Sequence, residues 1–141
     1  MNSSIQKSLI AGVVATAIMS LVMYLAPFMG LPEMNAAEML SGMTGLPIVF
    51  GWAMHFMIGI IFTLGYTFFF LPNIRIHNLA ASGALFGFAA FIVAQIAMLM
   101  MSIVIKPIPA LESGMVPMMI GSIIGHIMFG IPVAFIVKRQ Q

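Results

Sequence analysis

Four long apolar blocks alternate with short polar segments along the chain. The blocks cover residues 9–29, 49–71, 79–105 and 117–137. Runs longer than about 18 apolar residues are typical of membrane-spanning helices, because about 20 helical residues cross the hydrocarbon core. Strands are excluded by these lengths, since a membrane barrel needs many spans of about 10 alternating residues. The pattern predicts an all-α integral membrane protein, a four-transmembrane-helix bundle that forms one membrane domain over residues 1–141.

The composition agrees with a chain that is surrounded by lipid. Of its 141 residues, 62% are hydrophobic and 6% are charged, whereas a soluble domain is about 25% charged. No block contains Lys, Arg, Asp or Glu, which argues against a carboxylate proton relay or a Schiff base. The absence of cysteine excludes iron–sulfur clusters, and a net charge of +2 is too small to indicate nucleic-acid binding. No hydrolase or phosphate-loop motif is present, which argues against hydrolytic and phosphoryl-transfer enzymes. The sequence leaves open whether the protein is an enzyme of another kind.

The charged residues predict an orientation. The N-terminus, the loop after the second block and the C-terminus carry four positive charges: Lys7, Arg75, Lys138 and Arg139. The opposite side carries Lys106 together with Glu33, Glu38 and Glu112. The positive-inside rule therefore predicts a multi-pass protein of the bacterial inner membrane, with both termini in the cytoplasm. The longer outer loop is predicted to include a short helix around residues 34–40.

The two halves of the chain resemble each other. An offset of 71 aligns residues 1–70 with residues 72–141 and gives eleven identities. These include His55-x-Met57-x-Gly59-Ile60 against His126-x-Met128-x-Gly130-Ile131. The alignment predicts two tandem helical hairpins, related by an axis along the membrane normal.

The repeat predicts that His55 and His126 lie at one depth. Tyr24 and Gln95 align at the same offset and bring a second pair of polar side chains to this layer. Small residues flank each histidine at one-turn spacing: Gly51 and Gly59 in the second block, Ser122 and Gly130 in the fourth. Such gaps accept either the backbone of a neighbouring helix or the flat face of a cofactor.

The leading hypothesis for function is a b-type haem with His55 and His126 as axial ligands. Bundle cores commonly hold cofactors between side chains of facing helices, and two imidazoles at one depth suit a planar iron macrocycle. Gly51, Gly59, Ser122 and Gly130 would leave room for the haem, while Tyr24 and Gln95 would orient the imidazoles. The function would then be electron transfer or haem-linked sensing.

A Cu(I)-binding or copper-handling membrane protein is the alternative. The chain has sixteen methionines, and the predicted topology places nearly all of them between mid-membrane and the outer surface. Thioethers are soft ligands suited to Cu(I), although methionine also fills gaps in cores. The candidate copper ligands are Met54, Met57, Met128, Met115 and Met118. A copper ion closer to the outer surface would lie near Met115 and Met118, together with Met34 and Met39.

A third hypothesis is structural. The polar layer would then only join helices by hydrogen bonds worth about 0.6 kcal/mol each. The protein would be an accessory subunit of a respiratory or other membrane complex, a homo-oligomer, or a bundle that binds lipid or quinone.

Two segments carry a resemblance to a known family. Gly51-Trp52-Ala53-Met54-His55-Phe56-Met57-Ile58-Gly59 and Gly125-His126-Ile127-Met128-Phe129-Gly130 resemble a family of uncharacterised bacterial four-span membrane proteins. The resemblance covers most of the chain, including the Met-rich outer loops. It implies the four-helix architecture and points to the two histidines, but it implies no activity.

Overall fold

The structure, a computed structural model, describes residues 3–105 and 114–137. This part of the chain is helical and has no strand. Its helices are α1 (Ser3–Leu25), α2 (Ala36–Thr44), α3 (Ile48–Asn73), α4 (Leu79–Val104) and α5 (Met115–Val137). All except the short α2 are long and apolar enough to cross a membrane. The predicted fold class is therefore confirmed. Lys106, Glu112, Lys138 and Arg139 lie outside the described residues.

The short helix α2 confirms the helix that is predicted around residues 34–40. The side chain of Asn35 begins it by accepting a hydrogen bond from the backbone N–H of Ala37 at 3.1 Å, the usual role of an N-cap residue. Gly45 ends the helix with a φ of 72°, a left-handed conformation that glycine adopts without strain. Helix α2 packs against α3. We call the end of the bundle that carries α2 the outer end.

Close backbone contact joins the two helices of each hairpin. A Cβ atom on Gly12 of α1 would lie 2.7 Å from the Cα atom of Ile60 in α3. A Cβ atom on Gly83 of α4 would lie 2.6 Å from the Cα atom of Ile131 in α5. These two contacts are equivalent at the offset of 71, and both follow the membrane rule that small residues let helices approach closely. The duplication itself stays a prediction.

The two hairpins are joined mainly at the inner end of the bundle. Helix α1 packs directly on α5, where alanines and valines form the core: Ala11, Ala15, Val133, Ala134 and Val137. Helix α3 reaches α4 and α5 through aromatic rings instead, with Tyr66 against Phe86 at 4.9 Å and Phe62 against Phe129 at 6.5 Å between ring centroids. These core residues lie at the inner end of the bundle, whereas a cavity lies between α1 and α3 at the outer end.

Tyr66 is the largest fully buried side chain of this core. It begins a π-helical turn of α3, Tyr66–Phe70, and its hydroxyl lies 3.1 Å from the Oγ atom of Ser82 in α4. We expect Tyr66→Phe to lower the free energy of unfolding by about 1 kcal/mol, because the buried Ser82 hydroxyl loses its partner. Thermal unfolding in detergent, followed by circular dichroism, measures this. The control is Tyr24→Phe, at an exposed tyrosine; an equal loss there would contradict the prediction.

Candidate metal centre

His55 lies on α3 and faces α1. Its Nε2 atom is 3.2 Å from the Oγ atom of Ser20, and the Ser20 hydroxyl also donates to the carbonyl oxygen of Thr16 at 2.8 Å. The hydroxyl proton is assigned to the shorter bond with the carbonyl, so the imidazole proton is assigned to Nε2, which donates to Ser20. The ring packs beside Trp52 and Phe56, with centroid separations of 6.1 and 6.2 Å. The Nδ1 atom then carries the free lone pair.

A cavity of about 270 Å³ opens beside His55 at the outer end. Its walls come from α1 and α3, and its outer side is formed by the non-helical residues 31–35 that lead into α2. Among its lining residues are three methionines, an imidazole, an indole and a carboxylate: Met19, Met23, Met34, His55, Trp52 and Glu33. Ligand pockets usually measure roughly 300–1,000 Å³, so this cavity suits an ion or a small molecule.

The three thioethers of the cavity meet α5 at two glycines. The sulfur of Met23 would lie 3.0 Å, and the methyl group of Met19 3.3 Å, from a Cβ atom on Gly125. The sulfur of Met34 would lie 3.3 Å from a Cβ atom on Gly121. Positions one turn apart on a helix are about 5–6 Å apart at Cβ. The three side chains therefore gather within about one helical turn of α5, although they come from two separate segments of the chain.

Two further lining residues influence which ligands the cavity favours. Glu33 is exposed at its outer side, where a carboxylate raises the local concentration of cations. Trp52 presents an indole, the aromatic ring that attracts cations best. Tyr24 also lines the cavity but is 74% exposed. His55 is predicted to bond with Tyr24 but bonds with Ser20 instead, one turn closer to the membrane interior.

His126 lies in a different environment and does not line this cavity. Its Nδ1 atom donates to the carbonyl oxygen of Ser122 at 2.8 Å, and its ring meets the edge of Phe91 at 5.8 Å. Gln95, predicted to orient an imidazole, instead donates to the hydroxyl of Ser122 at 3.4 Å. Both histidines are partly buried, but they face different neighbours.

The small residues beside the histidines contact other parts of the bundle. Gly51 meets the backbone of α2 at Ala37, and Gly59 meets the side chain of Thr16. A Cβ atom on Gly130 would lie 2.6 Å from the backbone nitrogen of Gly87 in α4. Of the two uses that the sequence left open for these gaps, the structure fills them with neighbouring helices. At Gly51, Gly59 and Gly130 protein atoms occupy the gap, and haem binding itself stays a prediction.

The methionines that the sequence singled out for copper do not converge on the cavity. Met57 and Met115 are 54% and 77% exposed, and Met54, Met118 and Met128 are only partly buried. None of these five side chains lines the cavity. Of the two methionines predicted near Met115 and Met118, Met34 lines the cavity and Met39 does not.

Met19, Met23 and Ser20 were missed by the sequence analysis, although α1 carries a pattern that marks their position. Small or hydroxylated residues recur every four positions: Ser4, Ser8, Gly12, Thr16 and Ser20. Residues at this spacing share one helix face, and that face meets α3. Met19 and Met23 are one turn apart beside it, which places both thioethers next to the α1–α3 contact.

Harder metal ions have no comparable set of ligands here. Within residues 3–105 and 114–137, no three His, Cys, Asp or Glu side chains come together. A zinc site usually takes three or four such ligands. The nitrogen and sulfur donors around the cavity instead match the preferences of a soft cation.

Four apolar spans and a cavity at one end define this chain as a multi-pass membrane protein that contacts lipid. It belongs to the family of unknown function DUF6789, whose model matches residues 2–141. This agrees with the resemblance to a four-span family without an assigned activity. No curated protein and no solved structure matches the chain.

Proposed function

We propose that this protein binds Cu(I) in the cavity between α1 and α3 and takes part in copper handling at the membrane. The observation that carries the proposal is the lining of one cavity by three thioethers and one imidazole: Met19, Met23, Met34 and His55. Thioethers select Cu(I) over harder cations, and imidazole is compatible with it. The remaining lining mixes apolar side chains with polar ones, and its one charged group, Glu33, attracts a cation.

The side chains have the freedom that such a site requires. Methionine is unbranched and polarizable and has three rotatable bonds, so thioethers spread over one turn of α5 can close around a single ion. The Nδ1 lone pair of His55 is free for an ion while Nε2 remains bonded to Ser20. The indole of Trp52 would add a cation–π contact.

The charged residues indicate the side of the membrane to which the cavity opens. Lys7 and Arg75 lie at the inner end of the bundle, whereas Glu33 and Glu38 lie at the outer end, where Glu33 lines the cavity. By the positive-inside rule, we propose the inner membrane of a bacterium as the location and place both termini in the cytoplasm. The cavity would then open away from the cytoplasm and receive copper from that side.

Trp52 provides the test, because it is the only tryptophan in the chain. Titration of the detergent-purified protein with Cu(I), or with redox-inert Ag(I), is expected to quench its fluorescence and saturate at one equivalent. Zn(II) is expected to leave the emission unchanged. Elemental analysis after gel filtration gives the stoichiometry independently. Absence of both saturable quenching and retained metal would refute the proposal.

The haem hypothesis stays a prediction, and one observation favours it. The bond from Nδ1 of His126 to the Ser122 carbonyl leaves Nε2 free, as in many metal-bound histidines. Haem binding would require His126 together with His55, whereas the proposed copper site requires His55 alone. This difference separates the two functions experimentally.

We therefore expect His126→Ala to change Cu(I) affinity less than threefold, since His126 does not line the cavity. His55→Ala should weaken Cu(I) binding at least tenfold. Spectra of protein expressed with ample haem are recorded in parallel. A Soret band that is lost in each of the two variants would establish haem binding and contradict the copper proposal.

If the protein binds neither haem nor copper, the accessory-subunit hypothesis is left. Co-purification of a partner complex tests that hypothesis.

A further inference from the structure

The three thioethers of the cavity differ in the backbone that carries them. Met19 and Met23 lie within α1 and pack against α5, and Met23 is 7% exposed. Met34 lies in the non-helical residues 31–35, between the turn Ala26–Met29 and α2. A thioether on a helix keeps its position as long as the bundle is intact. A thioether on this segment can move without displacing a helix.

Both ends of this segment are fixed. Gly30 adopts a φ of 79°, and its backbone N–H bonds to the carbonyl of Pro27 at 3.1 Å. At the other end, Asn35 caps α2 through its side chain. Movement is therefore confined to the few residues between them, and Met34 is the residue of that stretch that reaches α5.

The thioether of Met34 rests in a notch on α5. Its methyl group fills the space beside Gly121, where a Cβ atom would collide with it, and its sulfur would lie 3.3 Å from that Cβ atom. In this position the side chain packs against the helix while it also lines the cavity. Packing in the notch and binding of an ion elsewhere in the cavity would draw on the same thioether.

Resting on the proposed Cu(I) function, we infer that Met34 is the exchangeable ligand of the site. It engages an arriving ion first and releases a departing ion last, while Met19 and Met23 are the fixed inner ligands. The Gly121 notch holds the thioether of Met34 in the free protein and so lowers the affinity of the site for an ion. Glu33, the neighbouring residue, places a carboxylate at the same entrance.

The test is a double-mutant cycle between Gly121→Ala and Met34→Leu, with Ag(I) as the probe and Trp52 fluorescence as the readout. Alanine fills the notch and displaces only the end of a flexible side chain. We expect Gly121→Ala to tighten Ag(I) binding roughly threefold to tenfold when Met34 is present, and to leave it unchanged when residue 34 is leucine. Gly65→Ala is the control, because a Cβ atom there has no neighbour within 4 Å.

Stopped-flow kinetics give a second measurement that does not depend on Gly121. Met34→Leu is expected to slow Ag(I) uptake roughly tenfold and to change release less, whereas Met23→Leu should mainly speed release. Equal effects of the two substitutions on both rates would overturn the inference, as would a Gly121→Ala effect that persists with leucine at position 34. If the wild-type protein binds no ion, the proposed function fails. If it binds but shows no such coupling, only the role of Met34 fails.

Discussion

Replacement of both Met19 and Met23 by leucine is expected to weaken Cu(I) binding by at least about a hundredfold. The substitution removes the two fixed thioethers of the cavity, and loss of even the partners that orient a metal ligand typically costs 10–100-fold in affinity. Leucine has nearly the volume of methionine, so the packing against Gly125 is retained at little cost in stability. Competition with a Cu(I) chelator of known affinity measures the dissociation constant.

The matched control replaces exposed methionines of the same bundle. Met57→Leu and Met115→Leu remove two thioethers that do not line the cavity, and we expect the affinity to stay within about twofold. Circular dichroism confirms that each variant retains its helices. An unchanged dissociation constant in Met19→Leu/Met23→Leu, with the fold intact, would show that the ion lies elsewhere.

A large loss of stability is expected when the close packing of α4 against α5 is disturbed. Gly130→Ala places a methyl group against the backbone of Gly83 and Gly87, 2.6 Å from the nitrogen of Gly87. Because backbone atoms cannot turn aside as a side chain can, the two helices must separate, and overpacking of this kind costs about 1–3 kcal/mol or more. We expect a clear fall in the unfolding midpoint in detergent, measured by circular dichroism.

Gly65→Ala tests whether any added methyl group has this effect. Gly65 is also helical, yet a Cβ atom there would meet nothing within 4 Å. Alanine is the better helix former by roughly 1 kcal/mol, so this variant should be as stable as the wild type or more stable. A similar loss in both variants would mean that the close approach of α4 and α5 does not limit stability.

The sequence predicted the spans well, because a membrane helix is a local structure. Every backbone N–H and C=O group in the hydrocarbon core must be paired within its own segment, so the length of an apolar run sets the length of the helix. The predicted block 79–105 and the observed helix Leu79–Val104 differ by one residue. The short helix α2 was also predictable, from its polar start and its flanking glycines.

The direction in which each helix faces was harder to predict. In a soluble helix, an apolar stripe marks the buried side. In these spans both the lipid side and the interior side are apolar, so the methionines of α1 carry no indication of which side they occupy. Only the small and hydroxylated residues, such as Gly12 and Thr16 in α1, mark the face that meets another helix.

The sequence by itself determined a four-span helical protein, a matched pair of histidines, and a surplus of soft methionine ligands. The tertiary structure decided which of these groups meet. It leaves His126 outside the cavity of His55 and brings Met34, from the segment that follows α1, to the same cavity as Met19 and Met23. The physical reason is that helix rotation and loop placement depend on contacts between segments, such as Gly12 with Ile60, which no single span specifies.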